Sequence, residues 1–335
     1  MTTRRSTGKL HVARSLWYAK PGVVELRTAP LPPPGLNEAR VVTLFSGVSR
    51  GTERLILNGR VPDSEWQRMR APLQEGAFPF PVKYGYCATG IVEDGPEPLL
   101  GRTVFCLHPH QDMFIAPAEM LVPVPDGVPA RRATLAANME TALNAHWDGD
   151  TGPGDKIVVV GAGVVGLLVA AIAARLPGAD VTVVDVQEGR RAVVESVGAH
   201  FAAADAAEAD ADVVFHTSAS AAGLKTAISS AGMEATVVEL SWYGEKEIPV
   251  SLGGPFHSRR LKLVSSQVGQ VAPTHRPRWS YRRRMEAALE LLADAPELDA
   301  LVADEIAFAH ATQRLPEILA DDVPGLAPVI VYQTS

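Results

Sequence analysis

Residues 156–166 read K-I-V-V-V-G-A-G-V-V-G, a hydrophobic strand that runs into a turn of the form G-x-G-x-x-G. Gly161 permits a tight turn, Gly163 lets a phosphate approach the backbone, and Gly166 lets a helix pack closely against the strand. The helix begins at Val164 and Val165, where unpaired N–H groups and the positive end of the helix dipole favour an anion. This stretch predicts the first strand, turn and helix of a dinucleotide-binding fold.

An acidic residue, Asp185, ends the next predicted strand, where a carboxylate can accept hydrogen bonds from the adenosine ribose of NAD. Its charge would repel a 2′-phosphate, so NAD is favoured over NADP. Arg190 and Arg191 follow it and could instead cap the ribose or bind that phosphate. Thr217 lies after a later strand beside His216, which is either a satisfied core histidine or, with Thr217, a neighbour of the nicotinamide.

Strands and helices alternate after residue 130, and this pattern predicts a doubly wound parallel sheet. The predicted strands are Lys156–Val160, Asp180–Val184, Asp212–His216 and Thr236–Leu240, and the predicted helices are Ala130–Trp147, Val164–Arg175, Gly189–Val197, Ala221–Ser230, Tyr281–Ala293 and Thr312–Ala320. Before residue 129, short apolar runs between Pro and Gly residues predict a β-rich domain with long loops: Val23–Leu26, Arg40–Leu44, Gly90–Val92, Thr103–Leu107 and Met113–Ile115, with a short helix at Ser64–Arg70.

The composition is that of a globular protein and limits its partners. The chain has 335 residues and a formal net charge of −7, which argues against nucleic acid or an anionic membrane as a partner and leaves a small-molecule substrate. Residues 157–174 carry no charge and are long enough to suggest a membrane-spanning helix. The glycine turn divides them into a strand and a helix, so a membrane span is not expected. No apolar targeting segment is visible near the N-terminus, so a cytoplasmic location is expected.

Cysteine is scarce, with only Cys87 and Cys106 in the whole chain. Two cysteines cannot form a disulfide framework, and no C-x-x-C pair is present to bind a structural zinc.

Several motifs together resemble the medium-chain dehydrogenase/reductase family over nearly the whole chain. They are the glycine turn, Ser46-Gly47-Val48 with Gly51-Thr52-Glu53, Gly85-Tyr86-Cys87 with Gly90–Glu93, and Pro117–Gly127. The resemblance implies a GroES-like β-rich catalytic domain over residues 1–137, completed by residues 269–335, and a Rossmann domain over 138–268. It implies an active site in the interdomain cleft and a homodimer, for which Ile248–Ser251 could supply an edge strand or could simply be exposed.

Many members of that family hold a catalytic zinc, but the matching positions here are Ser49, Tyr86 and approximately Ala137. None of these is a thiolate, an imidazole or a carboxylate, so the resemblance implies a member without zinc. Without a metal, a protein donor or a conjugated substrate must stabilise charge that develops on oxygen. Ser49 and Tyr86 are the first candidates for that role; alternatively, they are a turn residue and a packed aromatic.

A second group of polar residues occupies every second position of one segment: Cys106, His108, His110 and Asp112. On a regular strand they would share one face and could bind a metal, although Pro109 interrupts such a strand. They could instead form a polar wall of the substrate pocket, with His108 or His110 relaying a proton. His108 is therefore a third catalytic candidate, and surface histidines are the remaining alternative.

The function expected from these features is zinc-independent hydride transfer between NAD(P)(H) and a carbinol or carbonyl carbon. Ser46–Glu53 and the Pro81–Gly85 approach to Tyr86 partly resemble the bacteriochlorophyllide 1-hydroxyethyl dehydrogenases, which would suit a conjugated ring substrate. The alternatives are a quinone or enone reductase and a non-catalytic protein that senses a dinucleotide.

Overall fold

The computed structural model describes residues 11–206, 210–321 and 323–332. Its N-terminal part is built of antiparallel strands, because short apolar runs alternate there with turn-forming residues. The elements are β1 (His11–Lys20), β2 (Val23–Leu31), β3 (Glu38–Gly47), α1 (Arg50–Leu57), β4 (Glu75–Gly76), β5 (Val82–Lys83), β6 (Ala88–Asp94), β7 (Thr103–Cys106), β8 (Met113–Pro117), β9 (Val122–Pro123), α2 (Ala130–Ala133) and α3 (Ala136–Gly149). One sheet has the order β2-β1-β5-β4, and a second is centred on β3 and β6.

The middle of the chain forms a six-stranded parallel sheet of order β12-β11-β10-β13-β14-β15. Its elements are β10 (Lys156–Val160), α4 (Val164–Ala173), β11 (Asp180–Asp185), α5 (Arg191–Ser196), β12 (His200–Ala203), β13 (Ala211–His216), α6 (Ala221–Ser230), β14 (Ala231–Glu239), α7 (Pro255–Ser258) and β15 (Lys262–Ser265). The strand order reverses direction between β10 and β13, and ligands of such sheets bind at the carboxyl ends of the strands at this point.

The C-terminal part returns to the N-terminal domain. It contains α8 (Tyr281–Glu290), β16 (Glu305–Ala307), α9 (Ala311–Ile318) and β17 (Val329–Val331). β17 pairs antiparallel with β3, with Val329 opposite Gly47, and β16 lies parallel to β17 at the sheet edge. The last strand thus extends the sheet of the N-terminal part, and the division into domains that the resemblance implies stays a prediction.

The structure corrects several predicted elements. β1, β12 and β15 were not expected, and the expected helix at Ser64–Arg70 is reduced to a single turn at Asp63–Glu65. The single helix expected over Ala130–Trp147 is two helices, α2 and α3. Thr134 lies between them, and its hydroxyl donates to the Arg131 carbonyl at 2.6 Å, in competition with the helical backbone bond.

The expected edge strand Ile248–Ser251 is wrong. That run contains Pro249, which cannot donate to a ladder, and it lies outside every strand, whereas β15 forms the edge of the parallel sheet. Within the described ranges, no helix combines the length and the apolar character needed to cross a membrane.

Candidate active site

The glycine turn, residues Gly161–Gly166, joins β10 to α4 and has the geometry that the sequence predicted. Gly161 adopts a φ of +113°, and a Cβ on Gly166 would lie 1.9 Å from the Gly161 carbonyl oxygen. A Cβ on Gly163 would meet nothing within 4 Å. No side chain caps α4 at Gly163, and Val164 and Val165 in its first turn are half-exposed. An open cradle therefore faces a free helix N-terminus, which suits a phosphate group.

Asp185 ends β11 beside this turn. Its Oδ2 atom accepts the Ala162 N–H at 2.6 Å, and its Oδ1 atom accepts the Gln187 N–H at 2.8 Å. Each oxygen uses one lone pair for these bonds and keeps another that can accept a ribose hydroxyl. The carboxylate is thus held in place by backbone groups and remains able to bind a ligand.

The two arginines after Asp185 have different surroundings. Arg191 is paired with Glu188 and Glu195 and lies over the Phe201 ring. Arg190 instead donates to the Gly325 carbonyl at 3.1 Å, and so links the α/β domain to the C-terminal segment. The pairing of Arg191 with two carboxylates leaves Arg190 as the better candidate for a phosphate contact.

Arg50, which sequence reasoning did not select, lies close to Arg190. It follows Ser49 directly and donates to the Val323 carbonyl, in the same C-terminal segment that Arg190 contacts. Burial, together with the positive charges of Arg54 and Arg190, lowers the pKa of Arg50. Two arginines from different domains therefore converge, an arrangement that an anionic ligand would stabilise.

A hydrogen-bonded group lies at the carboxyl ends of β13 and β14, and we call it the rim network: Ser218, His216, Glu239 and Tyr243. His216 Nε2 contacts Ser218 Oγ at 2.8 Å, and His216 Nδ1 contacts Glu239 Oε2 at 2.7 Å. Tyr243 donates to the same glutamate oxygen at 3.0 Å. Burial acts to raise the pKa of Glu239, but the hydrogen bond from His216 helps to hold it below its usual range.

Thr217 lies between these residues and the glycine turn. Its hydroxyl donates to the carbonyls of Gly161 at 2.9 Å and Val160 at 3.1 Å. Its contacts therefore hold the turn, and a direct contact with a cofactor stays a prediction.

Ser49 and Tyr86, the two candidate donors, are in contact. The Tyr86 hydroxyl donates to Ser49 Oγ at 2.6 Å and lies 3.3 Å from Thr52 Oγ1. Ser49 stands at the N-terminus of α1 but makes no capping bond with its side chain. A serine at this position usually caps the helix, so its hydroxyl is used here for Tyr86 instead. We call Ser49 Oγ and Tyr86 Oη the hydroxyl pair.

The direction of this hydrogen bond decides which hydroxyl can act on a ligand. Because Tyr86 donates to Ser49, the Ser49 proton can point toward a further acceptor. Burial raises the pKa of Tyr86 well above its usual value, more than hydrogen bonds to Ser49 and Thr52 lower it. Tyr86 is therefore a protonated donor and not a base at neutral pH.

Beneath the hydroxyl pair lies a buried group that we call the sealed network: Tyr18, Ser46, Glu53, His110 and Tyr332. Glu53 Oε2 accepts from Tyr18 at 2.5 Å and contacts His110 Nε2 at 3.0 Å. His110 Nδ1 contacts Ser46 Oγ at 2.7 Å, which in turn lies 2.8 Å from Tyr332 Oη. Glu53 Oε1 accepts the Ser49 N–H at 2.7 Å and so connects this network to the hydroxyl pair.

His108 is not brought to the hydroxyl pair. Its ring is buried and stacks on Phe114 with centroids 3.9 Å apart, and its Nδ1 lies 2.8 Å from the Pro109 carbonyl. Burial lowers the pKa of His108 to about 3. Its catalytic role stays a prediction, but its contacts are those of a packed, neutral ring.

The alternating polar residues do not share one face. Cys106 is packed in a hydrophobic cluster, His110 belongs to the sealed network, and Asp112 pairs with Arg14 at 2.8 Å. Across the described ranges, no three His, Cys, Asp or Glu side chains are close enough to hold a metal ion.

The residues at the zinc positions of the resembled family do not fit that metal. Ser49 and Tyr86 offer neutral hydroxyls that are bonded to each other, and Ala137 is a buried methyl group in α3. Zinc in proteins is bound by thiolate, imidazole and carboxylate groups, so this donor set is chemically wrong for it.

Glu53 lies in one of the motifs that carry the family resemblance, but the sequence suggested no role for it, and Tyr18 and Tyr332 were not selected at all. These three residues lie on α1, on β1 and directly after β17, so their contacts arise only in the folded chain.

Comparisons with known proteins agree with this architecture. Residues 138–241 match the family model described as "Alanine dehydrogenase/PNT, C-terminal domain". A zinc-type alcohol dehydrogenase-like protein of Haemophilus influenzae is 38% identical over 88 residues, which are 26% of this chain and 25% of that protein. This match therefore spans about a quarter of the relative's length. The D-guloside 3-dehydrogenase of Escherichia coli is 24% identical over 83% of this chain and 87% of its own.

Among solved structures, a protein of Sinorhizobium meliloti 1021 described as a zinc-binding dehydrogenase, bound to NADP, aligns with a TM-score of 0.77. The alignment covers 96% of this chain and 99% of that one at 18% identity. It confirms the predicted fold class, a GroES-like β-rich domain with a doubly wound parallel-sheet domain.

Proposed function

We propose that the chain is an NAD(P)-dependent oxidoreductase, which its similarity in sequence and fold to zinc-type alcohol dehydrogenase-like, medium-chain dehydrogenases/reductases supports. We propose further that it works without zinc and moves hydride between the nicotinamide and a carbinol or carbonyl carbon. The single observation that supports the zinc-free part is the hydrogen bond within the hydroxyl pair, whose two residues the resemblance matches to the family's zinc ligands.

The dinucleotide, when bound, supplies or accepts the hydride. The glycine turn would hold its phosphates, and Asp185 would accept hydrogen bonds from its adenosine ribose. Arg50 and Arg190 would add positive charge from both domains, since their guanidinium groups both donate to carbonyls of the same C-terminal segment. The surroundings of Asp185 support NAD, whereas the similar structure from Sinorhizobium meliloti carries NADP, so both dinucleotides belong in the test.

At the reacting carbon, Ser49 would donate its proton toward the substrate oxygen while Tyr86 donates to Ser49. Two hydroxyls in series polarise each other, and this arrangement can stabilise negative charge that develops on oxygen. Neutral hydroxyls are weaker than a zinc ion in this role. A substrate that spreads the charge over a conjugated ring would compensate, which supports the partial likeness to the bacteriochlorophyllide 1-hydroxyethyl dehydrogenases as a substrate proposal.

Two other functions stay open to the test below: reduction of quinones or enones, and sensing of a dinucleotide without catalysis. A homodimer and a cytoplasmic location remain predictions from the sequence.

The test supplies NADH or NADPH with panels of ketones, enones and quinones and follows the loss of nicotinamide absorbance. Removing the hydroxyl pair with Ser49→Ala or Tyr86→Phe should lower kcat for carbonyl reduction about 10²-fold, the usual cost of one such donor. Tyr281→Phe, on an exposed tyrosine far along the chain, is the matched control and should leave kcat unchanged.

Chelators should leave the rate unchanged, and zinc should not copurify in stoichiometric amount. Turnover of only enones or quinones would replace carbonyl reduction as the function. Binding of NAD(H) without any turnover would favour a sensor, and full activity of both variants would refute the donor assignment.

A further inference from the structure

We propose that Glu53 is a positioning residue for the hydroxyl pair: it fixes the Ser49 backbone and places a permanent negative charge beneath Tyr86. This inference rests on the proposed function in one respect, because it takes the hydroxyl pair as the reacting end of the site.

The first support is the pattern of donors around Glu53. The Ser49 N–H and the Tyr18 hydroxyl both donate to its carboxyl oxygens, and His110 Nε2 lies 3.0 Å away. An ionised carboxylate accepts only, so it suits these two donors, and it also suits His110 in the tautomer that carries its proton on Nε2.

The second support is that the sealed network has a proton assignment in which every group is satisfied and Glu53 is ionised. Ser46 Oγ is next to both Tyr332 Oη and His110 Nδ1. If Tyr332 donates to Ser46 and Ser46 to His110 Nδ1, then His110 carries its proton on Nε2 and donates it to Glu53. This assignment satisfies each group with a neutral histidine, and it leaves one net negative charge in the sealed network.

The third support is the absence of another charge near Tyr86 among the described residues. The titratable groups that face Tyr86 are Glu53, Cys87, Tyr84 and Tyr18. Burial raises the pKa of Cys87, Tyr84 and Tyr18, so these three stay neutral at ordinary pH. Glu53 is then the one charged neighbour, and its charge opposes the formation of a phenolate at Tyr86.

The fourth support is the unusual beginning of α1. Ser49 forgoes a side-chain cap, and Glu53, one turn later, takes the Ser49 backbone N–H with its carboxylate. The Glu53 carboxylate thus holds the Ser49 backbone in place, and the Ser49 hydroxyl is free to accept the hydrogen bond from Tyr86. The glutamate thus acts on both members of the hydroxyl pair, on one by a hydrogen bond and on the other by charge.

The experiment titrates tyrosine on the cofactor-free protein by ultraviolet absorbance, so that no substrate is needed. Subtracting the curve of a Tyr86→Phe variant isolates Tyr86 from the other five tyrosines, since the chain has 6. Glu53→Gln keeps the shape of the side chain and removes its charge, and the Tyr86 midpoint should move to lower pH.

Two variants separate charge from general loosening. Ser46→Ala breaks the bond to His110 Nδ1 without touching Glu53, and Glu53→Asp keeps the charge on a shorter side chain. Both should leave the Tyr86 midpoint where it is in the natural protein, and Glu53→Asp should lower kcat with little change in KM, because the Ser49 backbone is released. Glu97→Gln, at an exposed glutamate of the same domain, controls for the loss of one charge.

An unchanged midpoint in folded Glu53→Gln, or an equal shift in Ser46→Ala, would overturn the proposal. If Glu53→Gln does not fold, a downward shift in Glu53→Asp would overturn it, because that variant retains the charge. Absence of hydride transfer in the natural protein would end the proposed function but would not alter this titration.

Discussion

In the described part of the chain, two buried histidines each contact a glutamate, and the two pairs differ in where their hydrogen bonds lead. His110 and Glu53 in the sealed network are both fully buried, and their partners are also inside the protein. In the rim network His216 is fully buried but Glu239 is 16% exposed, and half-exposed Ser218 and Tyr243 complete it.

This difference teaches that the same two residue types can serve two purposes. The buried pair of His110 and Glu53 must satisfy every donor and acceptor within the protein. It can therefore hold the neighbouring hydroxyl pair in a fixed geometry. A pair at the carboxyl end of a parallel sheet, beside the switch in strand order, can exchange a protein partner for water or a ligand.

The strongest way to break the comparison is to remove each carboxylate. Glu53→Ala leaves Tyr18 and His110 without an acceptor in a dry interior, and it should lower the free energy of unfolding by about 3–5 kcal/mol. Glu239→Ala should cost about 1–3 kcal/mol, because water can reach the groups that it leaves. Urea unfolding of both variants measures the difference, and equal losses would show that the two networks are not distinct.

Two other buried histidines have no carboxylate partner among the described residues, and we expect them to make the stability of the protein depend on pH. Burial lowers the pKa of His146 to about 4 and that of His108 to about 3, below the unfolded value near 6.5. The folded state therefore favours the neutral rings, and stability present above pH 6.5 is lost as pH falls toward these values. Each of the two rings should remove about 3 kcal/mol from the free energy of unfolding between pH 6.5 and 4.

The check is a series of thermal melts at stepped pH. His146→Gln should flatten the acid side of the stability profile, whereas His257→Gln, at an exposed histidine, should leave it as it is. A profile of His146→Gln that parallels the natural protein would contradict the assignment.

The smallest expected effect comes from matched tyrosines, one in each network. Tyr18→Phe removes a buried hydrogen bond to a carboxylate and should cost about 1.5–3 kcal/mol. Tyr243→Phe removes a similar bond at the rim, where water can substitute, and should cost less than about 1 kcal/mol. Chemical denaturation distinguishes them, and a larger loss for Tyr243→Phe would reverse the comparison.

Much of the α/β domain could be predicted from the sequence, because its signals are local. The strand–turn–helix at residues 156–173 and the acid at Asp185 are contiguous patterns, and the structure places each at the predicted position. β1, β12 and β15 escaped prediction because their apolar residues do not alternate in a way that local reading could separate from loops.

The candidate site was predictable only in part. Ser49 and Tyr86 were selected from their positions in two motifs, and they meet at 2.6 Å. His108 was selected over its neighbour His110, but His110 is the one that faces Glu53. The two differ by two positions, and both follow the end of β7 at Cys106, so alternation along a strand could not predict their directions.

The sequence by itself determined the glycine turn, with its strand and helix, and the acid at Asp185, because these depend on residue identity within short segments. Only the tertiary structure decided what lies beneath the hydroxyl pair. Tyr18, Glu53, His110 and Tyr332 are brought together because β17 pairs with β3 and the segment before β8 crosses β1. Such contacts depend on how distant strands close a sheet, and no pattern within any one segment encodes that closure.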